Sequence, residues 1–256
     1  MKTIRIANNK VEIYDSIDDL PILRYQKFNK CLLIDSGIGS SVNDIDSHIT
    51  KIAKFITLDN KESALQELQN MRQNFFMITS EISPKYLAFG VMVKSVNGVE
   101  QLDLSDEALK ALVERLNINN SLLSKIVEDI KKNLESELDL YWPNEFKDKK
   151  DAKFFQLLQK QIELKAESII ADKDNSDAIR EIDEQLFTLF KPQIFYGNKS
   201  VEIVFDKNFE VACTIIAQET SLNAREMNVL QFYETISTIR KQAEEKAKAY
   251  NKIKGK

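Results

Sequence analysis

The chain is poor in residues that break regular structure and in residues that often carry chemistry. Its 256 residues include six glycines, four prolines and a single histidine, His48. So few glycines and prolines argue against an all-β or loop-rich design and leave room for long helices. One histidine excludes sites built from several histidines and most histidine-activated nucleophiles. A chain of this length can bury a substantial core as one domain or as two.

Cysteines and long apolar runs are also scarce. Cys31 and Cys213 lie far apart and form neither a zinc-binding pattern nor a disulfide framework, so we expect buried thiols in a reducing compartment. The longest apolar run, at residues 87–93, is far below the ~20 residues that span a bilayer. The N-terminus has no apolar stretch typical of a signal peptide. A net charge of −4 indicates no strongly charged partner. We therefore expect a cytoplasmic-type protein without a membrane partner.

Two kinds of apolar periodicity are present. Ile4 and Ile6 alternate with polar residues, as do Val11 and Ile13 after an asparagine-rich turn, and this pattern predicts an N-terminal β-hairpin. Apolar residues three or four positions apart predict helices over most of the remaining chain. The predicted helices start near residue 21 and cover about 43–55, 61–81, 105–116, 121–142, 152–171 and 176–190, with a last helix from about 227. The segment 84–96 fits a buried helix or a buried strand, and we favour a helix.

A second alternating stretch lies near the C-terminal third of the chain. Val201, Ile203 and Phe205 alternate with polar residues, which predicts one further short strand near residues 200–206. The predicted fold class is therefore mainly α, a multi-helix protein with an N-terminal β-hairpin and this one short strand. In the second helix, the spacing places Ile45, Ile49, Ile52 and Ile56 on one face, and the third helix has Leu65, Leu68, Met71 and Phe75 at helical spacing.

The best candidate for a domain boundary is the stretch WPNEFKDKKD at residues 142–151. It combines a proline with a cluster of charges between two helical patterns. It would separate a hairpin plus helical lobe at 1–145 from a helical lobe at 150–256, although a single domain is also compatible with the sequence. The second lobe would contain the short strand and the basic C-terminal helix.

The stretch CLLIDSGIGSSVND, residues 31–44, resembles a binding loop at first sight. A dinucleotide-binding fingerprint needs a strand, three glycines in G-x-G-x-x-G spacing and a helix. Gly37 and Gly39 supply two glycines, but Val42 stands at the third position, and the preceding residues have helical spacing. We therefore interpret Gly37 as the residue that ends one helix with a positive φ, and Ser40, Ser41 or Asn43 as the cap of the next. The alternative is a nucleotide site that uses the loop from Asp35 to Ser40.

Three further residues in DIDSH could suggest a metal. Asp44 and Asp46 lie close in sequence to His48, yet residues two apart do not share a helical face. Both aspartates lie where acidic residues stabilise a helix N-terminus, so we favour capping. We assign no catalytic residue, no cofactor and no metal ligand from the sequence, and we expect that the chain is not an enzyme.

The C-terminal stretch RKQAEEKAKAYNKIKGK, after residue 239, is almost entirely polar with an excess of lysines. Lysines suit the negative end of a helix, and a solvated helix end is the interpretation we favour. Contact with nucleic acid through this basic tail is the alternative. The 14 Phe, 7 Tyr and 1 Trp residues fall at apolar-face positions, which is typical of a core rather than a base-stacking platform.

Several phrases, in their order along the chain, are similar to a known group of proteins. They are LPILRYQKFNKCLLIDSGIGS, EISPKYLAFGVMVKSVNG, DLSDEALKALV, VEIVFDKNFE and NVLQFYETI. Together they resemble structural or assembly proteins of crAss-like tailed bacteriophages of gut Bacteroidetes, from about Val11 to Arg240. The last phrase also resembles small helical tail-assembly chaperones.

The resemblance implies a component of the virion or an assembly factor that works through protein surfaces. The neck or tail ring, the capsid cargo and an assembly chaperone are the roles it suggests. It implies other phage structural proteins as partners, possible self-assembly into a homo-oligomer or ring, and a location in the virion or the host cytoplasm. It carries no catalytic residues over to this chain.

Overall fold

The protein is mainly α-helical, with a small antiparallel sheet near its N-terminus. The computed structural model describes residues 1–79, 83–143, 149–171, 173–189 and 191–254, without the side chains of 149–152 and 251–254. In these residues the strands are β1 (Lys2–Ile6), β2 (Asn9–Ile13), β3 (Val93–Val96) and β4 (Val99–Glu100). The helices are α1 (Ile22–Ile38), α2 (Val42–Thr57), α3 (Lys61–Thr79), α4 (Pro84–Met92), α5 (Asp106–Leu116), α6 (Asn120–Tyr141), α7 (Lys149–Ile170), α8 (Ser176–Leu189), α9 (Val201–Thr220) and α10 (Val229–Lys254).

The chain divides into two compact units. The first comprises Met1–Glu137 together with Ile194–Lys256, and the second comprises Leu138–Gln193. The second unit contains the helical pair α7 and α8. Just before α8, the side-chain amide of Asn175 donates to the Leu164 carbonyl in α7 at 3.1 Å. The predicted boundary at 142–151 includes residues 144–148, which lie outside the described residues, and it stays a prediction.

The predicted N-terminal hairpin is confirmed, and it forms one side of a four-stranded sheet. The strand order is β1-β2-β3-β4, with every neighbouring pair antiparallel. Val11 pairs with Val96, which lies far along the chain. The segment 84–96 is a helix only as far as Met92 and then continues as β3, so the helix predicted for it is correct for its first part.

The core of the first unit lies between this sheet and the helices α1, α4 and α5. Its largest fully buried side chains include Ile13, Ile17, Leu20, Ile22, Phe28, Phe89, Met92, Leu109 and Leu116. The segment before α1 also pairs with the segment before α10, because the Ile22 amide donates to the Met227 carbonyl and the Val229 amide donates to the Leu20 carbonyl. These hydrogen bonds join the N-terminal and the C-terminal segments of the first unit.

The short strand predicted near 200–206 is wrong, because these residues begin helix α9. The Ser200 hydroxyl accepts a hydrogen bond from the Ile203 amide at 3.4 Å and caps the first turn. The alternation of Val201, Ile203 and Phe205 spans too few residues to outweigh this cap and the helical spacing that follows.

Candidate functional site

The glycine loop after α1 is a joint between two helices. Helix α1 continues through Gly37 to Ile38, and Gly39 follows it with φ at 84°. The prediction that Gly37 ends the helix with a positive φ is therefore wrong. The position of Gly37 has no room for a side chain, because a Cβ atom there would lie 2.0 Å from Cζ of Phe195. Gly39 has the positive φ, which favours glycine.

The backbone donors of this loop are already bound by a side chain of the chain itself. One carboxylate oxygen of Asp44 accepts from the amides of Ser40 and Ser41, at 3.1 and 2.9 Å, and from the Ser41 hydroxyl at 2.7 Å. Partial burial raises the pKa of Asp44, but these hydrogen bonds outweigh it and lower the pKa below its ordinary value. Ser41 is the N-cap of α2, as predicted among three alternatives. Asp44 thus takes the place that a phosphate would need.

Asp35, the other end of the proposed nucleotide loop, lines a cleft of about 570 Å³ in the first unit. Its carboxylate accepts from the Ser40 hydroxyl at 2.8 Å and lies 3.5 Å from Nζ of Lys85. Gly37 and Gly39 are not among the residues that line this cleft. The Gly39 amide donates to the Asp35 carbonyl instead. The convergence that a nucleotide site would require is therefore not formed.

The phenols at the cleft are not poised for proton transfer. Tyr25 and Tyr233 both line it, with ring centroids 6.2 Å apart. Burial is the main reason that the pKa values of both phenols are raised above their ordinary value. Both phenols therefore stay protonated at neutral pH.

His48, the only histidine, is buried between α2 and α3. Its Nδ1 lies 2.8 Å from Oε1 of Glu67, and its Nε2 lies 2.7 Å from the carbonyl oxygen of Ile38. The Lys51 ammonium lies 3.5 Å from the same Glu67 oxygen. Burial lowers the pKa of His48, but the bonds to Glu67 and Ile38 and the Glu67 charge outweigh it and raise the pKa.

The residues that suggested a metal do not converge. Asp44 caps α2, Asp46 is exposed and His48 contacts Glu67. Across the described ranges, no group of three or more His, Cys, Asp or Glu side chains could hold a metal ion. The cysteines differ from each other: burial raises the pKa of Cys31 to about 12, whereas Cys213 is only half-buried.

Helix α3 turns polar side chains inward and apolar side chains outward. The side chains that it buries are mostly polar, whereas its large apolar side chains face solvent. The buried residues are Ser63, Ala64, Glu67, Asn70 and Asn74. The exposed apolar residues are Leu65, Leu68, Phe75 and Phe76. Of the apolar residues at helical spacing in this helix, Leu65, Leu68 and Phe75 are exposed and Met71 is half-buried.

Helix α2 also exposes part of its apolar face. Ile49 and Ile56 are exposed, and Val42 joins them at the same seven-residue spacing. Ile45 and Ile52 are half-buried, beside the fully buried His48. The reason is that the face of α2 that contacts α3 is centred on His48. Ile49 and Ile56 lie outside this contact.

The two apolar stripes lie on the same side of the α2–α3 pair. Only residues 58–60 join the helices, so they are antiparallel. Ile49 follows His48 by one residue and Leu68 follows Glu67 by one, a rotation of about 100° in each helix. In two right-handed helices that run in opposite directions, this rotation turns both side chains to the same side. We call this set of residues the hairpin surface: Val42, Ile49, Ile56, Leu65, Leu68 and Phe75.

The C-terminal helix α10 extends to Lys254, and residues 241–250 are exposed throughout. That stretch contains Lys241, Lys246, Lys248, Glu244 and Glu245, and the tail after residue 239 as a whole has an excess of basic residues. Exposure is compatible with a solvated helix end and with a binding tail. No helix in the described part of the chain is long and apolar enough to cross a membrane.

Sequence reasoning missed Glu67 and Arg24, two charged residues that are buried in the first unit. Glu67 falls in a polar stripe at helical spacing, a pattern that is usually read as a solvent-facing side. Comparisons of the chain with protein-family models, curated proteins and solved structures find no match. The function has to be inferred from the residues and their arrangement.

Proposed function

We propose that this chain is a structural or assembly protein of a tailed bacteriophage that acts through protein–protein contacts and performs no catalysis. The hairpin surface is the observation that supports contact with proteins, because monomeric soluble proteins rarely expose contiguous apolar patches of this kind. The phage assignment depends on the ordered phrases between Val11 and Arg240. Its partners would be other phage structural proteins, in the virion or in the host cytoplasm.

The alternatives have less support. A nucleotide site at Asp35 to Ser40 would need free backbone donors, and Asp44 binds the Ser40 amide and the adjacent Ser41 amide. A nucleic-acid site on α10 would depend on the basic excess of the tail after residue 239, which Glu244 and Glu245 interrupt.

Mass spectrometry of purified virions, combined with deletion of the gene, tests the proposal. A structural protein would be found in the particles in a fixed stoichiometry. An assembly factor would be absent from them, but its deletion would produce incomplete heads or tails. Absence from the particles together with normal particles after deletion would overturn the proposal.

The statement that the chain performs no catalysis has its own test. An Asp35→Asn variant removes the carboxylate that lines the cleft and keeps a side chain of similar size. We expect this variant to restore particle formation fully in the deletion strain. If it folds normally but fails to restore particles, a chemical role for the cleft replaces the proposal.

A further inference from the structure

The orientation of α3 leaves its apolar face exposed, without a partner among the described residues. Glu67 is held by His48, and the Asn70 amide is 3.4 Å from the other Glu67 oxygen, so the polar face points inward. Within the described residues, neither polar atom of the Asn74 side chain has a hydrogen-bond partner, although the side chain is fully buried. Burying polar groups at this cost while exposing Leu and Phe side chains is unfavourable for an isolated unit.

The hairpin surface is large enough for a stable interface. Val42 is 65% exposed, and Leu68, the least exposed member, is 44% exposed. Each side chain thus presents on the order of 100 Å², since a large aromatic side chain has about 150–250 Å² in all. Together they present about 600 Å², so two copies would bury about 1,200 Å², the lower limit of a standard-size interface.

The charges on the hairpin surface complement each other between its two helices. Asp46 lies in the α2 stripe, between Val42 and Ile49, and Arg72 lies in the α3 stripe, between Leu68 and Phe75. Asp46 and Arg72 form no ion pair in the described part of the chain. His48 and Glu67 are in contact and mark the same height along the two helix axes. From that height, Asp46 lies about 3 Å and Arg72 about 7.5 Å toward the same end of the helix pair, so the two are less than one helical turn apart.

We propose that the hairpin surface is the interface of a symmetric homodimer, in which α2 of one protomer lies along α3 of the other. A two-fold axis parallel to the helices brings the two surfaces together with their ends in register. Asp46 of each protomer then meets Arg72 of its partner, which gives two ion pairs around an apolar four-helix centre. A second copy supplies both the apolar area and the opposite charge that this surface requires.

This inference rests on the proposed function only in that both assume contacts between proteins. It concerns the purified chain and needs no virion. A monomeric chain would overturn the dimer and leave the virion role open, whereas a dimer could exist in a protein that has no place in phage assembly.

Sedimentation velocity of the purified full-length chain, over a range of concentrations, tests the dimer. The wild-type chain is expected to sediment as two copies at micromolar concentration. An Ile49→Asp/Leu68→Asp variant should dissociate roughly a hundredfold more readily, since it places four charges in an apolar interface. Both positions are exposed, so circular dichroism should show an unchanged helical content. Val211→Asp, an exposed apolar position on α9, is the matched control and should leave the dimer intact.

Charge reversal tests the arrangement of the two copies. Asp46→Arg alone and Arg72→Asp alone each place like charges together and should weaken the dimer roughly tenfold. The double variant Asp46→Arg/Arg72→Asp should restore it. A mixture of the two single variants should also form a heterodimer, because each then supplies the charge that the other lacks.

Three results would overturn the proposal. One is a wild-type chain that stays monomeric at tens of micromolar, in which case the hairpin surface binds a different protein. Another is a dimer that the Ile49→Asp/Leu68→Asp variant leaves unchanged, which would place the interface elsewhere. The third is a set of single charge variants that neither weaken the dimer nor associate with each other, which would exclude the two-fold arrangement.

Discussion

His48 and Glu67 form a buried ion pair between α2 and α3, with 2.8 Å between Nδ1 and Oε1. On its other side, the ring donates through Nε2 to the carbonyl oxygen of Ile38, at the end of α1. A backbone carbonyl accepts only, and so does an ionised carboxylate, so both ring nitrogens must carry a proton. The pair therefore joins three helices as imidazolium and carboxylate, and it sets the rotation of α3.

The first prediction concerns the pH dependence of stability. The pKa of His48 is raised in the folded chain from its ordinary value of 6.5, so its contribution is complete below pH 6.5 and is lost as the pH rises through the folded pKa. Burial raises the pKa of Glu67, but its bond to His48 and the nearby charges outweigh this and lower it from 4.5. The Glu67 contribution is therefore present above pH 4.5 and is lost as the pH falls through the folded pKa. The pair stabilises most between pH 4.5 and 6.5.

Urea unfolding of the wild-type chain and of a His48→Gln variant, between pH 5 and 8, measures this effect. The free energy of unfolding of the wild type should fall above pH 6.5 by up to about 1.4 kcal/mol per pH unit. The variant has no titrating imidazole, so that slope should disappear. His48→Ala leaves Glu67 buried without its partner and should cost about 3–5 kcal/mol at pH 6. Identical pH profiles for wild type and His48→Gln would show that the ring is not charged.

The sequence predicted α2 and α3 but not which of their faces is buried. Their spacing has an apolar stripe, and an apolar stripe ordinarily faces the core. The structure places that stripe outward because Glu67 and Asn74 lie against neighbouring helices. A polar stripe with helical spacing has the same pattern whether it meets water or a buried histidine. Single-sequence periodicity therefore gives the helix and leaves its rotation undetermined.

Local signals predicted the features that depend on neighbouring residues. The hairpin β1–β2 and the helix predicted over about 105–116 follow from patterns over a few positions, and both are confirmed. The pairing of β2 with β3 joins residues eighty or more positions apart, and no local pattern encodes it. The same holds for the contact of Gly37 with Phe195, which only the folded chain brings together.

The second prediction concerns Asp44 as a helix cap. Asp44→Ala removes the acceptor of the Ser40 and Ser41 amides and should cost about 1 kcal/mol of unfolding free energy at pH 7. The folded pKa of Asp44 is lowered from 3.8, so the difference from wild type should persist above that pH and vanish as the pH falls through the folded pKa. Asn43→Ala, at an exposed neighbouring position, is the control and should change stability by less than about 0.5 kcal/mol. Equal stability of the two variants would contradict the cap.

The third prediction concerns the buried guanidinium of Arg24. It donates to the carbonyls of Val91, Val93 and Gln101, at 2.9 Å for Val93, and lies 5.3 Å from the Tyr14 ring. Arg24→Leu leaves these carbonyls without their donor and should cost about 3 kcal/mol or more. Arg24→Lys should recover only part of the loss, because one ammonium cannot reach several carbonyls as the planar fork does.

Unfolding of the Arg24 variants in guanidinium chloride measures this cost, and a variant of an exposed arginine is the control. Arg5→Leu, on β1, should shift the unfolding free energy by less than about 0.5 kcal/mol. A lysine variant as stable as wild type would show that charge alone, without the fork geometry, holds α1 against the segment from α4 to β4.

The fourth prediction concerns the close contact of Gly37 with the Phe195 ring. Alanine is the better helix former by about 1 kcal/mol, so propensity alone predicts that Gly37→Ala stabilises α1. A Cβ there would lie 2.0 Å from the ring, however, and we expect a net loss of about 1–3 kcal/mol because the ring must move. Phe195→Leu shortens the side chain, so Gly37→Ala should cost less in that background. The coupling in the double-mutant cycle should be about 0.5–3 kcal/mol. Thermal unfolding of the four chains measures it, with Ser36→Ala as an exposed control on the same helix. If Gly37→Ala stabilises the wild-type chain, the ring does not require a glycine at this position.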